Sequence, residues 1–280
     1  MTMLGSDSKA YERNGGFWEP HTSSIDFCEK NYVVTPYLAE FHNTWSSIPI
    51  AFVGLFGYLY ANPTNEFRYS IMYIVFFVIG LGSVLLHATL MKFPQSFDEI
   101  PMLWANLTFL FALIDNGSTK GESTKVVKNL DKYFFIVAII QTVLYYSYQS
   151  FYAVFLATYI SIVVVITLWT LKIAYSTNHE ITRAMRIMLW KIIVAAYILF
   201  GSVLWILDMN ICDQLQRHIY SNLPTFGMTF HVFWHFGAAY GTYVLMVFLT
   251  LIRMESLKRK PILLWTIYYL PYIEDGGSID

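Results

Sequence analysis

Seven long apolar stretches separated by short polar breaks limit what this chain can fold into. They lie at about 44–61, 69–91, 98–115, 133–149, 151–175, 184–208 and 228–252, each long enough or nearly so to cross a hydrocarbon core of about 30 Å. In lipid every backbone N–H and C=O must be satisfied within the protein, which leaves helices as the spanning element for segments of this kind. With 56% hydrophobic and only 13% charged residues, the chain is too apolar for a soluble domain. The expected fold class is an all-α membrane protein, a seven-transmembrane helix bundle. Asn62-Pro63-Thr64-Asn65 reads as a turn, and Asn116 to Asp131 and Ser176 to Arg183 as polar loops. The fourth and fifth spans are parted only by Gln149-Ser150. Three regions follow: a polar N-terminal segment (1–43), the spanning domain (44–252) and a tail (253–280). The first segment lacks the basic start and short apolar core of a cleaved signal peptide.

Basic residues set the direction. One side of the bundle receives Arg68, Lys120, Lys125, Lys128, Lys132, Lys172, Arg183, Arg186, Arg253, Lys258, Arg259 and Lys260. The other receives Lys9, Arg13, Lys30, Lys92 and Arg217. The positive-inside rule then puts the N-terminus in the lumen or outside and the C-terminus in the cytosol. The net charge of −1 gives no reason to expect a nucleic-acid partner. No protein partner can be inferred.

This topology gathers polar residues at one membrane level. His87 ends the second span, and His231 and His235 begin the seventh at the same face. Asp98 opens the third span there, Asp208 ends the sixth, and Glu40 precedes the first. Ionisable groups at membrane depth need partners and mark functional sites. His231 and His235, at i and i+4, share a helix face and can bind one metal, as in helical zinc motifs. His87 supplies a third nitrogen, and three protein ligands leave the open position of a catalytic zinc site. The alternative is hydrogen bonding between helices. His21, His42, His179 and His218 fall in tails or loops and read as solvated.

Ser83 lies one turn before His87, where its hydroxyl can face the same site and donate to an oxyanion; an ordinary helix serine would bond back to its own backbone. Asp98, beside Glu99, can serve as a general base or merely cap a helix. Asp208 can orient a metal-binding histidine or simply bound a span. Asp26-Phe27-Cys28-Glu29-Lys30-Asn31 and Glu40 offer oxygen donors suited to a hard cation such as Ca²⁺, although acidic loops are more commonly just hydrated. Cys28 and Cys212, the chain's two cysteines, both fall on the lumenal side, where a disulfide between them would persist.

These residues together resemble the alkaline ceramidases. Gly16-Phe17-Trp18, Thr22-Ser23 and Asp26 to Tyr32 resemble that family's start, with Phe27 and Lys30 as departures. Ala39-Glu40-Phe41-His42-Asn43-Thr44, Gly82-Ser83 with His87-Ala88-Thr89-Leu90, Asp98-Glu99-Ile100-Pro101-Met102, and His231 with Trp234-His235 resemble four further motifs in order. The resemblance implies an amidase that cleaves the N-acyl bond of ceramides to a sphingoid base and a fatty acid. It implies zinc on His87, His231 and His235, with Asp98 as general acid/base and Ser83 as oxyanion stabiliser. It also implies calcium on Asp26, the Phe27 carbonyl, Glu29, Asn31 and Glu40. Ceramide-type lipids become the expected substrate, membrane lipids the surroundings, and the endoplasmic reticulum or Golgi membrane the location.

Three other seven-span classes are alternatives. A lipid-sensing receptor of the progestin/adiponectin type shares a seven-span zinc core but favours a cytosolic N-terminus. A seven-helix photoreceptor needs a Schiff-base lysine in the last span, and none occurs between Met228 and Ile252. A transporter would be expected to show internal repeats or paired broken helices.

Overall fold

The structure is a computed structural model that describes residues 15–116, 129–147, 151–221 and 227–278. It is a bundle of antiparallel helices. Five helical segments are long and apolar enough to cross a membrane: Phe67–Thr89, Lys92–Ile114, Tyr152–Ala174, Glu180–Asn210 and Phe230–Ser256. At 1.5 Å per residue, 23 residues reach about 34 Å. Two further apolar segments are shorter. The first expected span divides into α1 (Phe41–Ser46) and α2 (Ile48–Tyr60). Pro49, in the first turn of α2, has no N–H to continue the ladder of α1. The fourth expected span is α5 (Leu130–Ser147). The expected break at Gln149-Ser150, residues 1–14 of the N-terminal region and most of the 116–131 loop lie outside the described residues.

The remaining helices shift against expectation by a few residues. α3 is Phe67–Thr89, α6 Phe151–Ala174 and α10 Phe230–Ser256. α4 runs Lys92–Ile114, starting about six residues before Asp98, because Pro94 falls in the first turn, where a missing N–H is harmless. Asp98 is therefore inside the helix and does not cap it. The sixth pass is α7 (Glu180–Ile193), a π-helical stretch Val194–Ser202 and α8 (Val203–Asn210), followed by α9 (Cys212–Leu215).

The core centres on α10, whose second half is almost wholly buried against α2, α3 and α7. Two ion-pair clusters pin the ends of these helices away from the histidines. Arg68 and Arg253 both meet Glu66, and Arg68 also meets Asp115. Arg186 bonds Glu255 at 3.0 Å and the carbonyls of Ser176 and Asn178.

Two expectations need correction. The bundle is not purely α: the tail expected at 253–280 contains an antiparallel hairpin, β1 (Arg259–Trp265) and β2 (Pro271–Ser278). Its alternation buries Pro261, Pro271 and Ile273 on one face, a period-2 pattern masked in sequence by apolar residues on both faces. His42, expected in a solvated segment, lies in α1, where its Nδ1 accepts a hydrogen bond from Trp45 Nε1 at 3.3 Å.

Candidate metal centre and lipid cavity

The three histidines arrive from two helix ends. α3 closes after His87 with Leu90 in the left-handed region, and α10 begins at Phe230 with His231 and His235 one turn apart. All three are buried, with ring centroids 5.1 Å (His87–His231), 4.9 Å (His87–His235) and 4.6 Å (His231–His235) apart. One nitrogen from each lies within 4.8 Å of the others; among the described residues this is the sole such group of His, Cys, Asp or Glu.

Hydrogen bonds orient two of the rings. Glu40 Oε2 meets His87 Nδ1 at 2.6 Å, and Ser46 Oγ meets His235 Nδ1 at 2.7 Å. The opposite nitrogen of each ring is left for another partner. His87 Nε2 and His231 Nδ1 are buried without any hydrogen-bond partner. Orphaned polar atoms at this depth are costly, and neutral imidazoles held by a carboxylate or hydroxyl are a common outer shell of metal sites. The donor set therefore fits a transition-metal ion of the zinc type.

Ser83 Oγ is 2.9 Å from Ser47 Oγ, at the α1–α2 junction, and Ser47 in turn donates to the Asn43 carbonyl. Asp98 reaches the same space from α4 because α3 and α4 nearly touch. A Cβ on Gly82 would stand 2.2 Å from the Phe97 carbonyl oxygen. Pro101 has no N–H to offer that carbonyl, so the helix is relaxed where Gly82 comes closest. Ser83, Asp98, His231 and His235 line one cavity of about 390 Å³, continued by Met102, Phe109, Phe155, Val163 and Leu245 into the bundle. This is the form of a site for a ligand with a polar reacting group and long apolar parts.

The N-terminal segment closes the end of the cavity. The N–H groups of Thr22, Ser23, Ala39 and Glu40 cap carbonyls at the end of α3, and the Phe27 ring lies 4.8 Å from His87 and 4.1 Å from His231. Phe27 N–H donates to Glu40 Oε1 at 3.3 Å, Glu29 accepts the backbone N–H groups of His42 and Asn43, and Asn31 Nδ2 approaches Asp26 Oδ1 at 3.5 Å. Asn31 Oδ1 is buried without a partner. Burial and the Glu40 carboxylate push Glu29 up to about 8, and burial together with Asp26 raises Glu40 as well. This oxygen-rich, mutually repelling set is chemically suited to a hard cation. Glu40 belongs to both groups, one oxygen toward Phe27 and the other on His87.

Asp208 accepts the backbone N–H groups of His231 and Cys28, each at 3.3 Å, and the Tyr220 hydroxyl at 3.2 Å; its carboxylate holds the His231 backbone and not the ring. Cys28 and Cys212 form a disulfide, which ties the closing segment to α9. Sequence reasoning passed over Ser46 and Ser47, although two adjacent hydroxyls at the edge of an apolar span required partners. It also gave no role to the hydrogen-bonded chain from the exposed Ser24 through buried Gln95 and Glu99 to Tyr145, with bonds of 2.7, 2.8 and 2.6 Å, which fixes the residue beside Asp98.

Comparison with known proteins agrees with this architecture. A family model described as Ceramidase matches residues 19–274. The chain is 29% identical to an alkaline ceramidase of Arabidopsis thaliana, over 92% of this chain and 94% of that one. It is 28% identical to alkaline ceramidase 3 of Mus musculus (88% and 90% covered) and 27% identical to alkaline ceramidase YPC1 of Saccharomyces cerevisiae (93% of each). A match that begins before the closing segment and ends in the hairpin takes in every element of the site, and the chain belongs to the ceramidase family.

Proposed function

We propose that this protein is an intramembrane amidase that hydrolyses the N-acyl bond of ceramides to a sphingoid base and a free fatty acid. In this reading the two shorter apolar passes also span the bilayer, giving seven. The histidine end faces the lumen or exterior, and the membrane is that of the endoplasmic reticulum or Golgi. The observation that carries the proposal is a cluster of His87, His231 and His235 at a cavity that His231, His235, Ser83 and Asp98 line together, in a ceramidase-family chain.

The three histidines would hold zinc, which when bound supplies polarisation of the amide carbonyl and lowers the pKa of water to roughly 7. The chain's own groups do the rest. Asp98 accepts the proton of the attacking water and returns it to the nitrogen as the carbon–nitrogen bond breaks. Ser83, which donates to Ser47 in the resting site, turns its hydroxyl proton to the carbonyl oxygen as that oxygen gains charge. Glu40 and Ser46 keep two imidazoles turned toward the shared centre. Phe27 covers the rings against bulk water, and the cavity below accepts hydrocarbon chains. Asp26, the Phe27 carbonyl, Glu29, Asn31 and Glu40 would bind calcium and hold the closing segment in place.

The lipid-receptor alternative is set aside, since the family match and the relatives are ceramidases. Purified protein assayed on a ceramide panel, with and without chelator, tests the proposal. Release of sphingoid base that stops on chelation and returns with zinc is expected. Intact ceramide under all conditions would overturn it.

A further inference from the structure

The hairpin at the far end of the bundle is a further membrane-contacting element. We infer that its tip, Thr266 to Leu270, is inserted into the lipid hydrocarbon of the leaflet opposite the histidine cluster. Four observations carry this.

The first is position. The chain leaves α10 at Ser256 and turns back alongside it. Tyr243 Oη donates to the Pro271 carbonyl at 2.6 Å, and Tyr240 Oη donates to the Tyr269 carbonyl at 2.9 Å. Tyr243 lies about 10 residues from Arg253, roughly 15 Å along the helix toward the membrane centre. The tip therefore rises well past the level of the Glu66–Arg253 and Arg186–Glu255 pairs that mark the polar end of the bundle.

The second is charge. Pro261 to Ile273 contains no Asp, Glu, Lys or Arg. The charges gather at the open base, with Lys258 just before β1, Arg259 and Lys260 on it and Glu274 and Asp275 on β2, where Arg259 and Asp275 form an ion pair. A basic base suits the headgroup region and an uncharged tip the hydrocarbon.

The third is exposure. One face of the hairpin is anchored, with Ile273 and Leu270 buried against α10. The tip is open: Ile267, Tyr268 and Tyr269 are 84%, 76% and 77% exposed, and Ile262 and Trp265 continue the apolar surface down the strand. A cluster of this kind facing water would be unfavourable, whereas at membrane depth it continues the lipid-facing surface of the helices.

The fourth is the backbone. A turn in hydrocarbon needs its polar groups satisfied by the protein, and from Thr266 to Leu270 all but the Ile267 N–H and the Ile267 and Tyr268 carbonyls are. The N–H of Thr266 bonds the Leu270 carbonyl at 3.0 Å, and that of Tyr269 bonds the Thr266 carbonyl at 3.1 Å. The N–H groups of Tyr268 and Leu270 both bond Thr266 Oγ1, at 3.3 and 3.1 Å. The Tyr269 and Pro271 carbonyls are taken by α10 tyrosines, and Pro261 and Pro271 have no N–H to satisfy.

The test needs no catalytic readout. Both native cysteines are in the disulfide, so Tyr268→Cys adds a free thiol to the intact chain. The variant is labelled with a small environment-sensitive fluorophore without reductant and placed in phosphatidylcholine nanodiscs. Glu274→Cys, at the exposed base, is the reference. We expect the tip label to be quenched by nitroxide on lipid acyl chains, with aqueous iodide quenching it several-fold less than the base label. Equal iodide quenching at both positions, with no nitroxide effect at the tip, would overturn the inference. Ile267→Cys repeats the measurement if the first variant does not fold.

Discussion

Two residues carry the most specific consequences for chemistry and metal binding. Ser83 is fixed by Ser47 and lines the cavity beside the histidines. Ser83→Ala should lower kcat about 10²- to 10³-fold with little change in KM, as loss of one oxyanion donor does elsewhere. Steady-state kinetics on one ceramide would show it, and a KM effect alone would assign Ser83 to binding. Glu40→Gln removes the charged partner of His87 Nδ1. Zinc affinity should fall about 10- to 100-fold, measured by competition with a chromogenic chelator. At this scale the sequence was informative about ligand types. The i, i+4 pair, the third histidine and the nearby carboxylates were visible as expensive residues in apolar surroundings. Glu40 was legible as a polar residue at the level of the site and as a candidate calcium donor, but not as the partner of His87. Its contact with His87 depends on the closing segment folding over the end of α3, and no local pattern encodes that.

Between elements, the contact of α3 with α4 decides whether Ser83 and Asp98 share a cavity. Gly82→Ala would drive a methyl group into the Phe97 carbonyl. The expected loss is about 1–3 kcal/mol of stability together with reduced hydrolysis, read from thermal unfolding and turnover of the same preparation. An unaltered variant would mean that the helices stand further apart. The disulfide is a second link of this kind: with Cys28→Ser and Cys212→Ser together, the chain should lose about 2–4 kcal/mol, seen as a lower Tm equal to that of reduced wild type. The apolar helices were readable because apolar length in lipid permits little besides helix; five are long enough to cross a membrane, the first expected span divides into α1 and α2, and α4 starts about six residues early. The hairpin was not readable. The run Ile262 to Trp265 in β1 is apolar on both faces and β2 turns polar after Ile273, so the alternation that betrays a strand is absent, and the hairpin packs on a helix with no larger sheet beside it.

For the whole molecule, stability and chemistry are placed at opposite ends. The buried Arg186 serves Glu255, Ser176 and Asn178 far from the histidines. Arg186→Met leaves a buried carboxylate without its cation and should cost about 3–5 kcal/mol, while turnover per folded molecule stays near wild type. A variant with normal Tm and lost turnover would couple the two ends, against this account. At the other end, the three buried histidines would hold the metal that supports amide hydrolysis. The most direct measurement determines bound zinc and ceramide hydrolysis in the same purified samples of wild type and His231→Ala. About one zinc per wild-type chain with sphingoid base released is expected, and neither in the variant. Full hydrolysis by a zinc-free variant would contradict it.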